Sequence, residues 1–473
     1  MLEKYKNMSV ASKAALWFVI CSLIQKGISF ITIPIFTRIM SVNDYGIYNL
    51  YLSWFQIFTI ITSLYLYFGV FNNAMIKYES EKNEFISSMQ SLIFIITLIV
   101  FVIYIIFNNA FNEILGLSMP IVLLMFFQLL FDPAKNFWMG KQRFEYKYKK
   151  LVIITLIQSV LNPIIGIFMV YCLNNDVYAR IFSIIIVEVG FSIPIMIYQF
   201  YKGKTFVSKK YWGYALPLAI PLIPHYLSGI ILNQGDRIII SKLVNNSAVA
   251  LYSIAYSIGM IAQIFTNALV NSYTPLLYKN FKNKNYDENR KNIIFLLIIT
   301  AVLSIVMTLF APELIKIFGT SEYADAIYVV PPIAASVYFI FLYNIFAIPQ
   351  FYYEKTSFLM ISSIIAVVVN IILNIIFINI FGYIAAAYTT LICYILYSGG
   401  HYLISNNILR KNNISNLYNR VFIITISIFV ILINLSFSFL YKYMILRYII
   451  VIVIFCILIC KKNKIINMFK NLK

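Results

Sequence analysis

Apolar residues run in blocks of about 20, long enough to cross a bilayer as helices, and the blocks recur along the whole chain. Short polar segments separate them. The pattern predicts spans near residues 15–37, 46–69, 85–107, 117–138, 151–173, 177–200, 212–235, 248–272, 291–311, 325–348, 357–379, 383–404, 421–440 and 444–460. The polar residues within them are not scattered. Ser22, Gln25, Lys26 and Ser29 follow i, i+3, i+4, i+7 spacing and share one helical face. The expected fold is therefore an all-α polytopic membrane protein of about 14 transmembrane helices. The longest connector, from about Thr274 to Asn292, reads as a basic cytoplasmic loop and is too short to form a domain.

Composition excludes a water-soluble globule, since 62% of the 473 residues are hydrophobic and only 11% are charged, against roughly 25% charged in soluble domains. The net charge of +20 would point to nucleic acid in a soluble protein. Its placement gives another reading. With a cytoplasmic N-terminus, 28 basic residues fall on inside segments, among them Lys4, Lys6, Lys141, Lys147, Lys149, Lys150, Lys202, Lys279 and the tail from Lys461 to Lys473. Seven fall on outside edges: Arg38, Arg180, Arg237, Lys242, Lys316, Lys442 and Arg447. This asymmetry follows the positive-inside rule and predicts that both termini are cytoplasmic, with no role for nucleic acid. Lys4, Lys6 and Lys13 before an apolar run resemble a signal peptide. The run continues past Ile33 without a small-residue cleavage pattern, so it is read as the first span. The five cysteines lack pairing or metal-site spacing and read as small core residues.

A short repeat divides the chain. Arg38-Ile39-Met40-Ser41 followed by Tyr45-Gly46-Ile47-Tyr48 is echoed by Lys242-Leu243-Val244-Asn245 followed by Val249-Ala250-Leu251-Tyr252, at an offset of 204 residues. The offset superimposes six spans on six spans. It predicts two pseudo-symmetric six-helix lobes around a central cavity, residues 1–211 and 212–404. Residues 405–473 then supply two additional helices and a basic tail.

Ionisable side chains inside spans are costly unless they face a cavity or a partner, so each is a candidate. Lys26 sits near the centre of the first span, too deep to snorkel, and faces either a wet cavity or an internal ion pair. Gln128, Asp132, Lys135 and Asn136 form a second one-sided stripe, in which Asp132 and Lys135 are spaced to neutralise one another. Glu188 has no cation within a turn and is either a partner for Lys26 or a titrating, ion-coupling carboxylate. Pro217, Pro221 and Pro224 interrupt the seventh span, and His225, Ser228, Leu232 and Asp236 follow on one face, with Arg237 beside Asp236. Asp236 and Arg237 also read as an interfacial ion pair, and His225 as a hydrogen-bonded histidine in the helix contacts. Ser253, Tyr256, Gln263, Asn267 and Asn271 form an uncharged stripe, as do Ser363, Asn370 and Asn374. Such stripes either join helices or wet a lumen. Nucleotide-binding, zinc-protease and serine-hydrolase motifs are missing, so neither an ATP-driven pump nor a hydrolase is indicated, and no cofactor or metal is implied. Lys26, Lys135 and Arg237 around a low-dielectric cavity would attract phosphate or pyrophosphate, and neutral groups such as Gln25 and Asn267 would accommodate sugar hydroxyls.

The segment Asn233-Gln234-Gly235-Asp236-Arg237-Ile238-Ile239-Ile240 with Ala250-Leu251-Tyr252-Ser253-Ile254-Ala255-Tyr256 resembles the Wzx-type polysaccharide flippases. So does Phe36-Thr37-Arg38-Ile39-Met40-Ser41 with Asp44-Tyr45-Gly46-Ile47-Tyr48. These flippases belong to the MOP superfamily, with the peptidoglycan-precursor flippase MurJ and the MATE multidrug exporters. The resemblance implies alternating-access transfer of undecaprenyl-pyrophosphate-linked oligosaccharides from the inner to the outer leaflet of a bacterial cytoplasmic membrane. It matches Asp236-Arg237 to the family's span-7 pair and Arg38 to its boundary cation, while Lys26 is compatible with a cationic lumen. It also implies membrane lipids as surroundings, the polymerase and glycosyltransferases of the same pathway as partners, and a monomer. Two other classes stay open at this point. A cation-coupled drug exporter of the same architecture would favour acidic lumen residues. A polymerase or ligase would need a large outer loop.

Overall fold

The computed structural model describes residue 5 and residues 8–355, 357–414 and 417–460. Lys4, Lys6 and the tail lysines from Lys461 onward, counted above as cytoplasmic, lie outside the described residues. The protein is all-helical, with no strand among the described residues. In chain order the helices are α1 (Val10–Ile39), α2 (Val42–Ser63), α3 (Phe71–Lys77), α4 (Lys82–Ile106), α5 (Asn108–Leu115), α6 (Met119–Phe144), α7 (Tyr148–Cys172), α8 (Asp176–Gly203) and α9 (Lys209–Ala219). There follow α10 (Ile223–Leu243), α11 (Asn246–Lys282), α12 (Tyr286–Leu309), α13 (Ala311–Phe318), α14 (Val330–Tyr352), α15 (Ser357–Phe381), α16 (Ala385–Lys411), α17 (Arg420–Phe437) and α18 (Met444–Cys460).

Local chemistry places many of these boundaries. Ser41 and Asn245, 204 residues apart, both cap the helix that follows: Ser41 Oγ accepts from Asp44 N at 3.1 Å, and Asn245 Oδ1 from Ala248 N at 2.8 Å. Each satisfies an otherwise orphaned first-turn amide. The repeat seen in the sequence is thus a repeated helix end, cap and helix start. The three-proline segment behaves as its chemistry requires: α9 stops at Ala219, Ile220–Leu222 forms a 3-10 turn around Pro221, and α10 resumes at Ile223.

One expectation is refined and one corrected. Among the described residues, eleven helices are long and apolar enough to span a bilayer by length and composition, and Met444–Cys456 is a shorter apolar helix, so the expected figure of about 14 holds as an approximate one. The expected second and twelfth spans, α2 and α16, are helices, but they bury much of their length inside the protein and carry polar residues such as Asn49, Gln56, Ser398 and His401. A helix shielded by its neighbours does not need a continuous apolar surface. The basic loop expected at 274–292 is mostly helix, because α11 runs to Lys282 and Leu277 and Phe281 extend its apolar face into the core.

The chain divides into two compact units, Met1–Lys242 and Leu243–Lys473. Residues 212–242, which the repeat assigned to the second lobe, belong by contact to the first unit. Tyr211, Ala215 and Ala219 of α9 pack into a cluster with Phe71, Phe85, Met89 and Phe137. In the second unit, Leu277, Phe281, Leu296, Tyr338, Phe341, Phe346, Leu391 and Tyr418 form a separate core. Outward faces are apolar too. Ile361, Ile365, Val368, Ile372 and Ile376 along α15 are all exposed, a stripe that calls for lipid rather than water. The protein is a multi-pass membrane protein.

Candidate functional site

Four of the sequence candidates meet in the first unit. A cavity of about 400 Å³ opens among α1, α2, α6, α7 and α8, and Gln25, Lys135 and Glu188 line it, with Asp132 one helical turn before Lys135. Lys135 Nζ forms an ion pair with Glu188 Oε2 and lies 3.6 Å from Asp132 Oδ1. The carboxylate that lacked a partner in the sequence therefore takes Lys135, from a helix 53 residues away, and not Lys26. An ammonium between two carboxylates has its charge compensated, which makes its position inside a span tolerable.

Arg180 supplies the other cation. Sequence reading counted it among the outer-edge residues, yet it is buried and lines this cavity. Its Nη1 donates to Asn162 Oδ1 at 2.8 Å and to Ser183 Oγ at 3.1 Å, and its Nη2 to Tyr48 OH at 3.3 Å. The guanidinium also lies over the Phe36 ring, 4.1 Å from its centroid. Gly166 makes room for it: a Cβ there would stand 2.7 Å from Phe36 Cζ and 3.0 Å from Arg180 Nη1. Asn162 and Gly166 share a face of α7, but no spacing rule connects Arg180 to them along the chain, so only packing of α7 on α8 reveals this site. Lys135 is compensated by Glu188 and Asp132, Arg180 is held by neutral partners, and the remaining lining is rich in hydrogen-bonding groups such as Ser29, Thr32, Gln158 and Asn162. Such a cavity suits a polar, hydroxyl-bearing guest, with the Arg180 guanidinium available to an anionic group.

The other candidates lie elsewhere. Lys26 is exposed on α1 and does not line this cavity, although Gln25 and Ser29 of its stripe do. Arg237 is buried on α10, where Nη1 donates to Asn233 O at 2.8 Å and to Gln234 Oε1 at 3.1 Å. Gln234 in turn bonds Gln56 and Ser53 of α2, at 3.3 Å each. Asp236 is fully buried, and His225 is half-buried with its ring 5.8 Å from that of Tyr226. Arg38 is exposed and donates to Pro34 O at 2.6 Å. Asn267 is exposed on α11 in the second unit.

The helix order places the chain in a fold shared with solved membrane transporters. It is similar to a structure described as the lipid II flippase MurJ in an inward closed conformation, with a TM-score of 0.69 at 16% identity, over 95% of this chain and all of that one. It is similar also to an inward-facing multidrug resistance MATE family transporter of the MOP superfamily, with a TM-score of 0.67 at 14% identity, over 85% of this chain and all of that one. A MOP superfamily transporter from Pyrococcus furiosus matches with a TM-score of 0.57 at 14% identity, over 84% of this chain and 96% of that one. The polysaccharide biosynthesis protein family model matches residues 11–281, more than half of the chain, and the chain belongs to that family. The MatE model matches residues 221–376. No curated protein shows significant similarity to the sequence.

Proposed function

We propose that the protein is a flippase that moves undecaprenyl-pyrophosphate-linked oligosaccharide units from the cytoplasmic to the outer leaflet of a bacterial cytoplasmic membrane, for a surface polysaccharide such as O-antigen or capsule. Membership of the polysaccharide biosynthesis family is the observation that carries this reading. The polar cavity supports it, because Gln25, Gln158 and Asn162 offer amides to sugar hydroxyls while the Arg180 guanidinium at its wall offers a cation to phosphate oxygens. In this reading both termini are cytoplasmic, the protein works as a monomer, and the prenyl tail stays in lipid. Two lobes alternate their access, and the break at Ile220–Leu222 serves as the moving hinge. The glycosyltransferases and polymerase of the same pathway supply and consume its cargo. Lys26, exposed on α1, is a lumen cation for the pyrophosphate during transfer, with Arg237 next.

One observation favours a second reading, a cation-coupled exporter of MATE-like architecture. Two carboxylates, Glu188 at the cavity and Asp132 one helical turn before Lys135, share a single lysine, and protonating either would release Lys135 from it. The deciding experiment uses liposomes that hold a fluorescent undecaprenyl-pyrophosphate oligosaccharide and follows its exposure to an impermeant reagent. Accelerated exchange with wild type, abolished in a folded Lys26→Ala or Arg180→Ala variant, supports flipping. Absence of exchange with several lipid-linked glycans, together with efflux of organic cations by cells that express the chain, replaces it with the exporter.

A further inference from the structure

A second, larger cavity of about 770 Å³ opens in the first unit where α6 ends, α7 begins and α8 nears its end. The same three helices line the polar cavity, so the two lie in series. Along α6, Lys135 and Lys141 are separated by roughly 9 Å of helix rise. Five lysines line the larger cavity, Lys141, Lys147, Lys149, Lys150 and Lys202, against one carboxylate, Glu145. Lys147 holds that carboxylate at 2.6 Å, and Lys141 lies 3.9 Å from it. Among the described residues no carboxylate stands within ion-pair distance of Lys149, Lys150 or Lys202.

Positive charge alone would be read as topology, since the inside rule places lysines at this face. Two further groups require more. Gln142 and Gln199 are 8% and 7% exposed, both line this cavity, and the Oε1 of each has no hydrogen-bond partner. A buried acceptor without a donor is expensive, and topology gives no reason for two in one cavity. The opposing chemistry is a ligand with phosphate oxygens for the ammonium groups and hydroxyl donors for the amide oxygens. Trp138 adds a flat apolar face of the kind on which a sugar ring stacks. The volume falls within the range of about 300–1,000 Å³ usual for small-molecule sites.

We propose that this cavity is a cytoplasmic docking site for a pyrophosphate joined to a sugar, occupied before the cargo advances along α6–α8 to the polar cavity. The identity of the cargo rests on the flippase reading; the site's preference for a phosphate-and-hydroxyl ligand does not. The protein is placed full-length in nanodiscs of neutral lipid, and binding of radiolabelled inorganic pyrophosphate and of a uridine-diphosphate sugar is measured at equilibrium. Wild type binds both. The triple variant Lys149→Ala, Lys150→Ala, Lys202→Ala, altered only at exposed side chains, loses at least tenfold in affinity for both, whereas Gln142→Leu weakens the sugar-bearing probe more than pyrophosphate. Equal weakening by Lys279→Ala, Lys282→Ala, Lys284→Ala on another basic segment reduces the effect to diffuse charge and overturns the site. So does failure of wild type to bind, or competition by phosphatidylglycerol in the disc as effective as by pyrophosphate. If both probes bind as expected but no lipid-linked oligosaccharide is flipped, the docking site stands and the flippase reading falls.

Discussion

Lys135 on α6 and Glu188 on α8 form an ion pair between helices, with Asp132, one turn before Lys135, 3.6 Å from the same ammonium. This arrangement joins two of the five helices that wall the polar cavity and compensates the lysine charge within it. Removing one partner leaves an uncompensated charge inside a span, at a cost of about 3–5 kcal/mol. Lys135→Ala should lower the apparent unfolding temperature in detergent by several degrees. The triple variant Lys135→Met, Glu188→Met, Asp132→Asn, which leaves no uncompensated charge, should recover most of that loss yet remain inactive in liposome exchange. Full activity in the triple variant would make the cluster a structural clamp without a transport role.

Gly166 should tolerate no side chain. A methyl there meets Phe36 and the Arg180 guanidinium at once, and overpacking of this kind costs about 1–3 kcal/mol. Gly166→Val should destabilise the protein and weaken exchange to the same degree as Arg180→Ala, because both displace the same guanidinium. The comparison is made by thermal unfolding and exchange rate on the same preparations. Wild-type exchange in Gly166→Val would separate Arg180's position from function.

Pro221 sits in the 3-10 turn that separates α9 from α10. Replacing it by alanine restores a backbone donor and favours continuous helix. Pro221→Ala should leave folding intact, or raise the unfolding temperature slightly, while slowing exchange several-fold. An unchanged rate would show that the break does not move during transport.

Glu313, on the short helix α13, receives two hydrogen bonds of 2.8 Å from Arg447 on α18 and one of 3.1 Å from Tyr448 OH. Burial pushes its carboxyl pKa up, but the Arg447 guanidinium and the Tyr448 hydroxyl outweigh burial and hold it below the usual carboxylate value. A depressed folded pKa contributes stability that is present above the unfolded value, near 4.3, and is lost as pH falls through the folded one. Attachment of α18 should therefore weaken only below about pH 4 in the wild type. In Glu313→Gln it should be weaker by about 2 kcal/mol at neutral pH. Limited proteolysis near residue 443 as a function of pH reads this directly; identical profiles in the two proteins would remove the pair from the account.

The periodicity of apolar blocks determined the all-helical membrane fold, because spanning length and helical spacing are properties of consecutive residues. The break around Pro221 and the caps at Ser41 and Asn245 were legible for the same reason: each depends on residues within one or two turns. The sequence also marked Lys135, Asp132 and Glu188 as unusual, since an ionisable residue in a span is conspicuous wherever it points. It could not assign their partners. Lys135 and Glu188 are 53 residues apart, and the contact of α6 with α8 brings them together. Arg180 was overlooked because at a span edge it resembles any boundary cation, and its burial depends on the space left by Gly166 on a neighbouring helix. Gln142 and Gln199 look like ordinary polar residues in the sequence; only the folded chain withdraws them from water without giving their oxygens a donor. What consecutive residues decide is which segments are helices and which positions are costly. How those costs are met depends on side-chain volume and direction across helices distant in sequence, and that is settled by tertiary packing alone.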